Sequence, residues 1–538
     1  MFSRIKNLFQ NLAVYGLGDA ATSIASLLLL PVYTRYLTPE DYGVITMLLM
    51  IEAVAKVTFR WGVDTAFMRL YYDCKDQLAR QRLASTIFFF LLVVNGALMF
   101  VVVAGAGWLS TLLFGTATRA WLIRMVLVNT FVTGFYFMPF HVLRISERTG
   151  RFVALGFGRS AGTLVMRLVF VIAGHLGVLG VVLADLVVTA IFTPILSRWV
   201  WPLIRPVFSR EVLREALGFG LPRIPHSIAN QIIALADRTF LNAYAKLADV
   251  GVYSVGASFG MAPKLFLSAF ESAWTPFFLS VMHEKDAKRT YSTVSTYVML
   301  VLVLLVAGLA GAAPDLLRLT TTKQFHHASD VTPWIALGAM FQGVYLVGSI
   351  GIIITKRTAI YPVATGIAAA VSLAANAFLI PRYGTLGAAW ANATAYGTLA
   401  LVTVGFSLRC YPISYEWGRL LRIAGAGLAG ALCAMWFAPA NVPAIVGLIV
   451  RVALTMVTYA LVLFATGFFH PGELRIMQSV RDRLLDRRRR GRMPQPDQSQ
   501  VEMAGEIVAA PEPLESLDMQ PTEPASGDTT SGSPPRNR

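Results

Sequence analysis

Long apolar runs with almost no charge recur along this 538-residue chain. Residues 84–106 and 291–313, for example, contain no Lys, Arg, Asp or Glu. About 20 consecutive apolar residues let a helix cross the hydrocarbon core of a bilayer. Only 14% of all residues are charged, against about 25% in a typical soluble protein. The chain is therefore predicted to be an all-α polytopic membrane protein, and a water-soluble enzyme of several globular domains is excluded.

The apolar runs divide into about fourteen predicted transmembrane helices. The second is unusually charged and the seventh unusually polar, so both stand out less clearly from the loops. The predicted spans are residues 11–33, 43–64, 84–106, 118–140, 152–174, 177–199, 215–241, 250–279, 291–313, 331–354, 359–380, 385–407, 420–438 and 442–467.

Lysine and arginine are distributed unevenly over the short loops between these spans. If the helices alternate in direction, twenty-one basic residues fall in loops on one side and six on the other. Short cytoplasmic loops carry an excess of Lys and Arg, so both termini are predicted to be cytoplasmic. The net charge of +16 is explained by these loops, and no nucleic-acid partner is expected.

The chain contains an internal duplication. Tyr, Asp, Gly and Val recur in register at an offset of 208, as Tyr36, Asp41, Gly43 and Val44 and again as Tyr244, Asp249, Gly251 and Val252. Gly177, Leu179 and Gly180 recur as Gly384, Leu386 and Gly387 at an offset of 207, followed by Asp185 and Asn392. Six spans per unit is an even number, which predicts two six-helix parallel repeats related by an axis along the membrane normal.

This duplication predicts four parts of the chain. Residues 1–210 form an N-terminal lobe of helices 1–6, and residues 211–410 form a C-terminal lobe of helices 7–12. Two extra transmembrane helices occupy residues 411–469. Residues 470–538 begin with an arginine-rich run that can lie against anionic lipid and continue as a polar tail with too little apolar content to fold.

Several segments together resemble one known family. They are Leu28–Gly43 (LLLPVYTRYLTPEDYG), Gly220–Pro225, Ala236–Asn242, Ala269–Phe278 and Asn376–Ala389. The chain resembles the polysaccharide-biosynthesis (O-antigen and exopolysaccharide) flippases of the multidrug/oligosaccharidyl-lipid/polysaccharide exporter superfamily. The resemblance covers roughly residues 5–410 and leaves out the tail.

The resemblance implies a MATE-like two-lobed fold in the bacterial inner membrane. It also implies a non-enzymatic function by alternating access, in which an undecaprenyl-pyrophosphate-linked oligosaccharide is flipped between leaflets. Membrane lipids, and the polymerase and glycosyltransferases of the same pathway, are the implied partners. No cofactor is expected beyond a possible H⁺ or Na⁺ gradient. The alternatives are a multidrug or cation antiporter of the same fold, and a membrane polysaccharide polymerase or glycosyltransferase.

Charged residues inside predicted spans are the candidate site residues, because charge at bilayer depth is costly without a function or a partner. The second span carries Glu52, Lys56, Arg60 and Asp64 four residues apart. Such spacing allows pairing along one helix face, and it equally allows a cationic lining for a pyrophosphate. Both interpretations stay open at this point.

Two further cations complete the candidate site. Lys56, Arg60, Arg223 and Lys264 are the predicted head-group contacts, since the resemblance places all four at the lobe interface. Asp19, Asp64 and Glu271 are the predicted ion-coupling residues, because a carboxylate at depth can exchange a proton or hold Na⁺. No metal ligands and no catalytic residues are predicted.

Other charges within spans are expected to be structural. Asp237 and Arg238 are predicted to pair with neighbours near the outer interface. Arg124 and Arg167 are predicted to reach towards lipid head groups, because long basic side chains near a span end snorkel.

Overall fold

The computed structural model describes residues 29–437 and 442–470, except for the side chains of Thr149 and Arg223. Most of these residues are helical, beginning with residues 29–36. The helices that follow are α1 Pro39–Arg60, α2 Val63–Asp73, α3 Gln77–Ala104, α4 Ala106–Phe114, α5 Ala120–Thr133, α6 Phe137–Ile145, α7 Thr149–Leu168, α8 Gly177–Val200, α9 Arg210–Gly220, α10 Ile224–Tyr244, α11 Leu247–Gly260, α12 Pro263–Ser280, α13 Ala287–Thr320, α14 Ala328–Gly348, α15 Ile350–Ile354, α16 Ile360–Cys410, α17 Trp417–Phe437 and α18 Ala444–Ala465.

Ten of the described helical segments are long and apolar enough to cross a membrane, or eleven if the bent pair α11–α12 forms one span. Their outer surface is apolar, as Phe100 and Leu401 show with 76% and 75% of their area exposed. In water such a surface would aggregate, whereas in lipid it is well solvated. The prediction of an all-α membrane protein is confirmed, while the count of fourteen stays a prediction, in part because the span 11–33 lies mostly outside the described residues.

Helix starts explain the first repeated motif. Asp41 accepts hydrogen bonds from the backbone nitrogen of Thr38 at 3.0 Å and from its hydroxyl at 2.8 Å. Asp249, the repeat counterpart, accepts from the backbone nitrogen of Lys246 at 3.1 Å. A carboxylate at this position satisfies a backbone donor that the first helical turn leaves free. The duplicated aspartates therefore start α1 and α11 in the same way.

Two glycines explain the second repeated motif. Gly177 and Gly384 have φ of +54° and +55°, a conformation that residues with a side chain rarely adopt. Gly177 separates α8 from the turn after α7, and Gly384 interrupts the 51 residues of α16. The two parts of α16 thus correspond to α7 and α8, and they match the predicted spans 359–380 and 385–407.

Helix packing follows the duplication. In the first half, α1 packs on α5 and α8, and α7 packs on α8; in the second half, α16 packs on α10 and α14. The halves meet mainly where α1 contacts α11 and α10. The two additional helices, α17 and α18, pack on each other and on α13. There the guanidinium of Arg451 donates to the buried Asp315 carboxylate at 2.7 Å.

Candidate functional site

A cavity of about 530 Å³ opens in the N-terminal half of the described helices. Its walls come from residues 29–36 and from α1, α5, α7 and α8, and Ser258 on α11 is its contact with the second half. Five charged side chains of the described residues line it: Glu52, Lys56, Arg159, Arg167 and Asp185. Charges within a membrane span are tolerated where they face such a cavity and find partners.

Lys56 is the predicted head-group residue that lines this cavity. Its ammonium lies 2.5 Å from the carboxylate of Glu52, one helical turn earlier on α1. The Lys56 side chain is 43% exposed and that of Glu52 is 15% exposed. The two side chains therefore neutralise each other and both face the cavity, while the binding of a head group by Lys56 stays a prediction.

Arg60 and Asp64 form the next pair, where α1 ends and α2 begins. Arg60 Nη1 lies 3.7 Å from Asp64 Oδ2, and the two side chains are 44% and 25% exposed. Trp61 and Gly62 between them both have positive φ, so the predicted second span is interrupted here. Neither Arg60 nor Asp64 lines the cavity, and their separation of 3.7 Å makes this pair weaker than Lys56–Glu52.

Arg167 and Asp185 form a two-bond ion pair across the cavity wall. The Arg167 guanidinium donates to both oxygens of Asp185, at 3.0 and 2.7 Å. The expectation that Arg167 snorkels towards head groups is wrong for this residue, because a carboxylate on the facing helix α8 holds it at the cavity. Fork-shaped pairing of this kind fixes the orientation of the guanidinium.

The second half holds a buried counterpart of this network. Asp237 accepts hydrogen bonds from the Tyr253 hydroxyl, from Asn392 Nδ2 at 3.1 Å and from Arg238 Nη1 at 3.0 Å. The Asp237 side chain is 2% exposed. The prediction that Asp237 and Arg238 pair with neighbours is thus confirmed.

Lys264 and Glu271 lie on α12 in the second half, away from the cavity. The Lys264 ammonium lies 5.6 Å from the ring centroid of Tyr396, a distance typical of a cation–π interaction. Glu271 is exposed. Among the described residues neither side chain has an ion-pair partner. Lys264 occupies the position equivalent to Lys56, at the duplication offset of 208.

The other two predicted residues are described only in part or not at all. Arg223 ends a short 3₁₀ turn, Leu221–Arg223, directly before α10. Asp19 lies outside the described residues. The structure therefore brings Lys56 to the cavity and places Lys264 and Glu271 on α12. All of the head-group and ion-coupling assignments stay predictions.

Arg159 is the cavity residue that the sequence analysis missed. It lies on α7, and its guanidinium carbon is 5.0 Å from the ring centroid of Tyr136. Its neighbour in the chain, Gly158, faces Phe192 of α8. A basic residue in the middle of a predicted span, between small residues, was the available signal.

Comparison with known proteins connects this geometry to a family. A family model described as "Polysaccharide biosynthesis protein" matches residues 32–330, more than half of the chain. A similar protein, "Lsg locus putative protein 1" of Haemophilus influenzae, is 24% identical over 294 residues, which cover 52% of this chain and 67% of that protein.

Solved structures share the fold. The lipid II flippase MurJ in an inward closed conformation superposes with a TM-score of 0.69 at 15% identity, covering 84% of this chain and 98% of that one. An inward-facing multidrug resistance MATE family transporter gives a TM-score of 0.59 at 14% identity, covering 75% and 96%. At these identities the likeness concerns the fold, and it confirms the MATE-like architecture. On the family match and this fold, the chain is a multi-pass membrane protein that belongs to the polysaccharide biosynthesis protein family.

Proposed function

We propose that this protein flips an undecaprenyl-pyrophosphate-linked oligosaccharide across the bacterial inner membrane by alternating access, with both termini in the cytoplasm. The observation that carries the proposal is the charged cavity between helices of a MurJ-like fold. Membership of a polysaccharide biosynthesis family supports a sugar-bearing cargo. A transporter needs a polar path for the head group, while the polyprenyl chain can remain in lipid.

The proposed head-group contacts are Lys56, Arg60, Arg223 and Lys264. Lys56 faces the cavity with 43% of its side chain exposed, so its pairing with Glu52 leaves donors available to a ligand. Lys264 has no carboxylate partner among the described residues. Lys56 and Lys264 lie at equivalent positions of the two repeats, which suits a head group held first by one half and then by the other.

Ion coupling is proposed for Asp64, Glu271 and Asp19. Asp64 is 25% exposed beside Arg60, and Glu271 is exposed on α12. A carboxylate that is reached by water from one side can take up a proton or Na⁺ and release it after the lobes move. In this scheme the gradient is the energy source and no bound cofactor takes part. The proposed partners are membrane lipids and the polymerase and glycosyltransferases of the same pathway.

A multidrug or cation antiporter is the second candidate, since MATE transporters share the fold. A cation carrier needs a cavity with excess negative charge, whereas this cavity has three basic and two acidic side chains among the described residues. A polymerase or glycosyltransferase is the third candidate. The cavity charge favours an anionic cargo, and the fold match to transporters favours movement over bond formation.

Reconstitution into liposomes tests the function directly. A fluorescent undecaprenyl-pyrophosphate oligosaccharide is placed in one leaflet, and its loss of accessibility to an impermeant quencher is followed with and without H⁺ and Na⁺ gradients. We expect transfer that depends on the protein and is faster with one of the two gradients. Equal transfer in protein-free liposomes, or transport of organic cations in its place, would contradict the proposal.

Arginine variants test the assigned residues. Arg60→Ala and Arg223→Ala are each expected to abolish polysaccharide export in cells while the protein stays at its normal level in the membrane. Arg124→Ala is the matched control, because Arg124 is exposed on α5 and does not line the cavity. Normal export with both Arg60→Ala and Arg223→Ala would remove the head-group assignment but not the function.

A further inference from the structure

Arg159 differs from the other cations of the cavity because it has no acidic partner among the described residues. Lys56 is paired with Glu52 at 2.5 Å, and Arg167 is paired with Asp185 at 2.7 Å. Arg159 has no ion pair and no hydrogen bond among the described residues, and its Nε is buried without a partner. A buried donor without an acceptor is costly, so a native structure that keeps one here needs an explanation.

The balance of charges in the cavity also indicates that Arg159 is available to an anion. Its described lining holds three basic and two acidic side chains, and both acids are already paired. Among the described residues one positive charge is therefore left uncompensated within a membrane-spanning helix, where isolated charge is disfavoured. That charge belongs to Arg159, and an anion entering the cavity would neutralise it.

The position of Arg159 is fixed by an aromatic ring. Its guanidinium lies over Tyr136 at 5.0 Å. The Tyr136 hydroxyl in turn donates to the backbone carbonyl of Thr189 at 3.0 Å and contacts the Thr193 hydroxyl at 2.8 Å. Stacking on a held ring orients a guanidinium while leaving its N–H groups for a ligand. Arg159 is thus arranged in advance for an anion with several acceptor oxygens.

We infer that Arg159 binds a phosphate of the pyrophosphate group in the transported lipid, and that it is the residue that selects an anionic head group. This inference rests on the proposed function and adds to it a contact outside the four residues assigned from sequence. A pyrophosphate suits the site because its oxygens accept paired hydrogen bonds from the planar guanidinium. Lys56 and Arg167 lie on the same walls, but Glu52 and Asp185 neutralise them, so the net positive charge offered to the anion is that of Arg159.

Binding to the full chain in nanodiscs tests the inference. The probes are undecaprenyl pyrophosphate, inorganic pyrophosphate and undecaprenol, the last with the same chain and no charge. Tryptophan fluorescence reports binding, and thermal unfolding reports folding of each variant. Wild-type protein is expected to bind undecaprenyl pyrophosphate more tightly than undecaprenol by at least tenfold. Binding of inorganic pyrophosphate at comparable affinity would overturn the lipid as the source of the phosphate.

Three variants separate the contributions. Arg159→Gln is expected to weaken binding of undecaprenyl pyrophosphate at least tenfold and to leave undecaprenol binding unchanged. Arg159→Lys keeps the positive charge but loses the planar guanidinium. Its affinity for undecaprenyl pyrophosphate should lie between those of Arg159→Gln and the wild type. Arg124→Gln is the matched control and should bind like the wild type. If Arg159→Gln binds undecaprenyl pyrophosphate normally, the inference is overturned while the proposed function survives; if wild-type protein binds no pyrophosphate lipid, both fail.

A measurement on the wild-type protein tests the inference without requiring that a variant folds. Phenylglyoxal modifies accessible arginines, and peptide mass spectrometry locates the modified residues. Undecaprenyl pyrophosphate is expected to protect Arg159 several-fold, while undecaprenol does not. Arg124 should be modified equally with both lipids. Equal modification of Arg159 with the two lipids would overturn the inference.

Discussion

The two halves of the molecule have the same helical plan but treat their charges differently. In the first half, Asp185 accepts two hydrogen bonds from Arg167 at the wall of an open cavity. In the second half the equivalent residue is Asn392, and its amide donates to Asp237 in a buried cluster with Tyr253. The Asp185 side chain is 20% exposed and that of Asp237 is 2% exposed.

This difference shows how a duplicated fold can divide its tasks. The capping aspartates and the glycines with positive φ occur in both halves because they determine where the helices begin and end. The polar positions between them are free to change, and a single exchange of carboxylate for amide reverses the direction of a hydrogen bond. The first half thereby presents charge to a cavity, whereas the second half uses charge to hold its own helices together.

The strongest test of the buried cluster is Asp237→Ala. Removing this carboxylate leaves Arg238, which is 16% exposed, without its acidic partner and leaves the Tyr253 hydroxyl without an acceptor. We expect a loss of about 3–5 kcal/mol in the free energy of unfolding, measured by titration with a denaturing detergent. Asp185→Ala is the control from the first half, and it should lower the free energy of unfolding by a smaller amount. An equal cost would show that the halves do not differ as described.

The contact between the halves is tested by Gly43→Ala and Gly251→Ala. A methyl group on Gly43 would lie 2.0 Å from the Leu247 carbonyl oxygen, and one on Gly251 would lie 1.9 Å from that of Pro39. Each change should therefore force α1 and α11 apart and lower the free energy of unfolding by about 1–3 kcal/mol. The loss should be similar for the two glycines. A large cost at one glycine alone would break the equivalence.

The control for these glycines is Gly96→Ala. Gly96 lies on α3, and no atom of the described part of the chain lies within 4 Å of the position of an added methyl group. Because alanine is the better helix former, this variant should be as stable as the wild type or slightly more stable in the same titration.

Asp185→Asn gives the first half the residue type of the second. Arg167 would keep a hydrogen-bond acceptor but lose its ionic partner. Since Arg167 is 27% exposed, solvent screens part of the loss, and we expect about 1 kcal/mol in the same titration. A loss of stability as large as that of Asp237→Ala would mean that the Arg167–Asp185 pair also serves mainly to hold helices together.

The smallest effect on stability is expected from exchanging a pair on α1, in the double variant Glu52→Lys with Lys56→Glu. The pair stays intact and half-exposed, so the free energy of unfolding should change by about 0.5 kcal/mol or less. Lipid transport should nevertheless fall, because the cation has moved by one turn. Full transport by a stable double variant would favour pairing alone as the role of this helix face.

Local features of the sequence predicted the fold well. The capping aspartates, the glycines at Gly177 and Gly384, and the i,i+4 pair of Glu52 and Lys56 all depend on residues close together in the chain. The 51 helical residues of α16 contain two predicted spans, 359–380 and 385–407, and Gly384, with non-helical backbone angles, lies between them. The predicted seventh span, which includes α10, is too polar to be recognised by composition even in the structure.

Contacts between distant residues limited the prediction of the site. Arg167 bonds Asp185 eighteen residues later and on another helix, so helical spacing could not pair them. Asp237 meets Asn392 across 155 residues. Arg159 was missed for a related reason, since its distinguishing property is the absence of a nearby carboxylate among the described residues. That property exists only once the helices have assembled.

The glycine contact between α1 and α11 has one more consequence. Gly43 packs on Leu247, and Gly251 packs on Pro39. At the offset of 208, Gly251 is the repeat counterpart of Gly43 and Leu247 is that of Pro39, so the two contacts are equivalent. The surface is therefore self-complementary, like the interface of a two-fold dimer. A half-length chain would carry both faces of it, so separate expression of either half should yield a protein able to associate with a copy of itself.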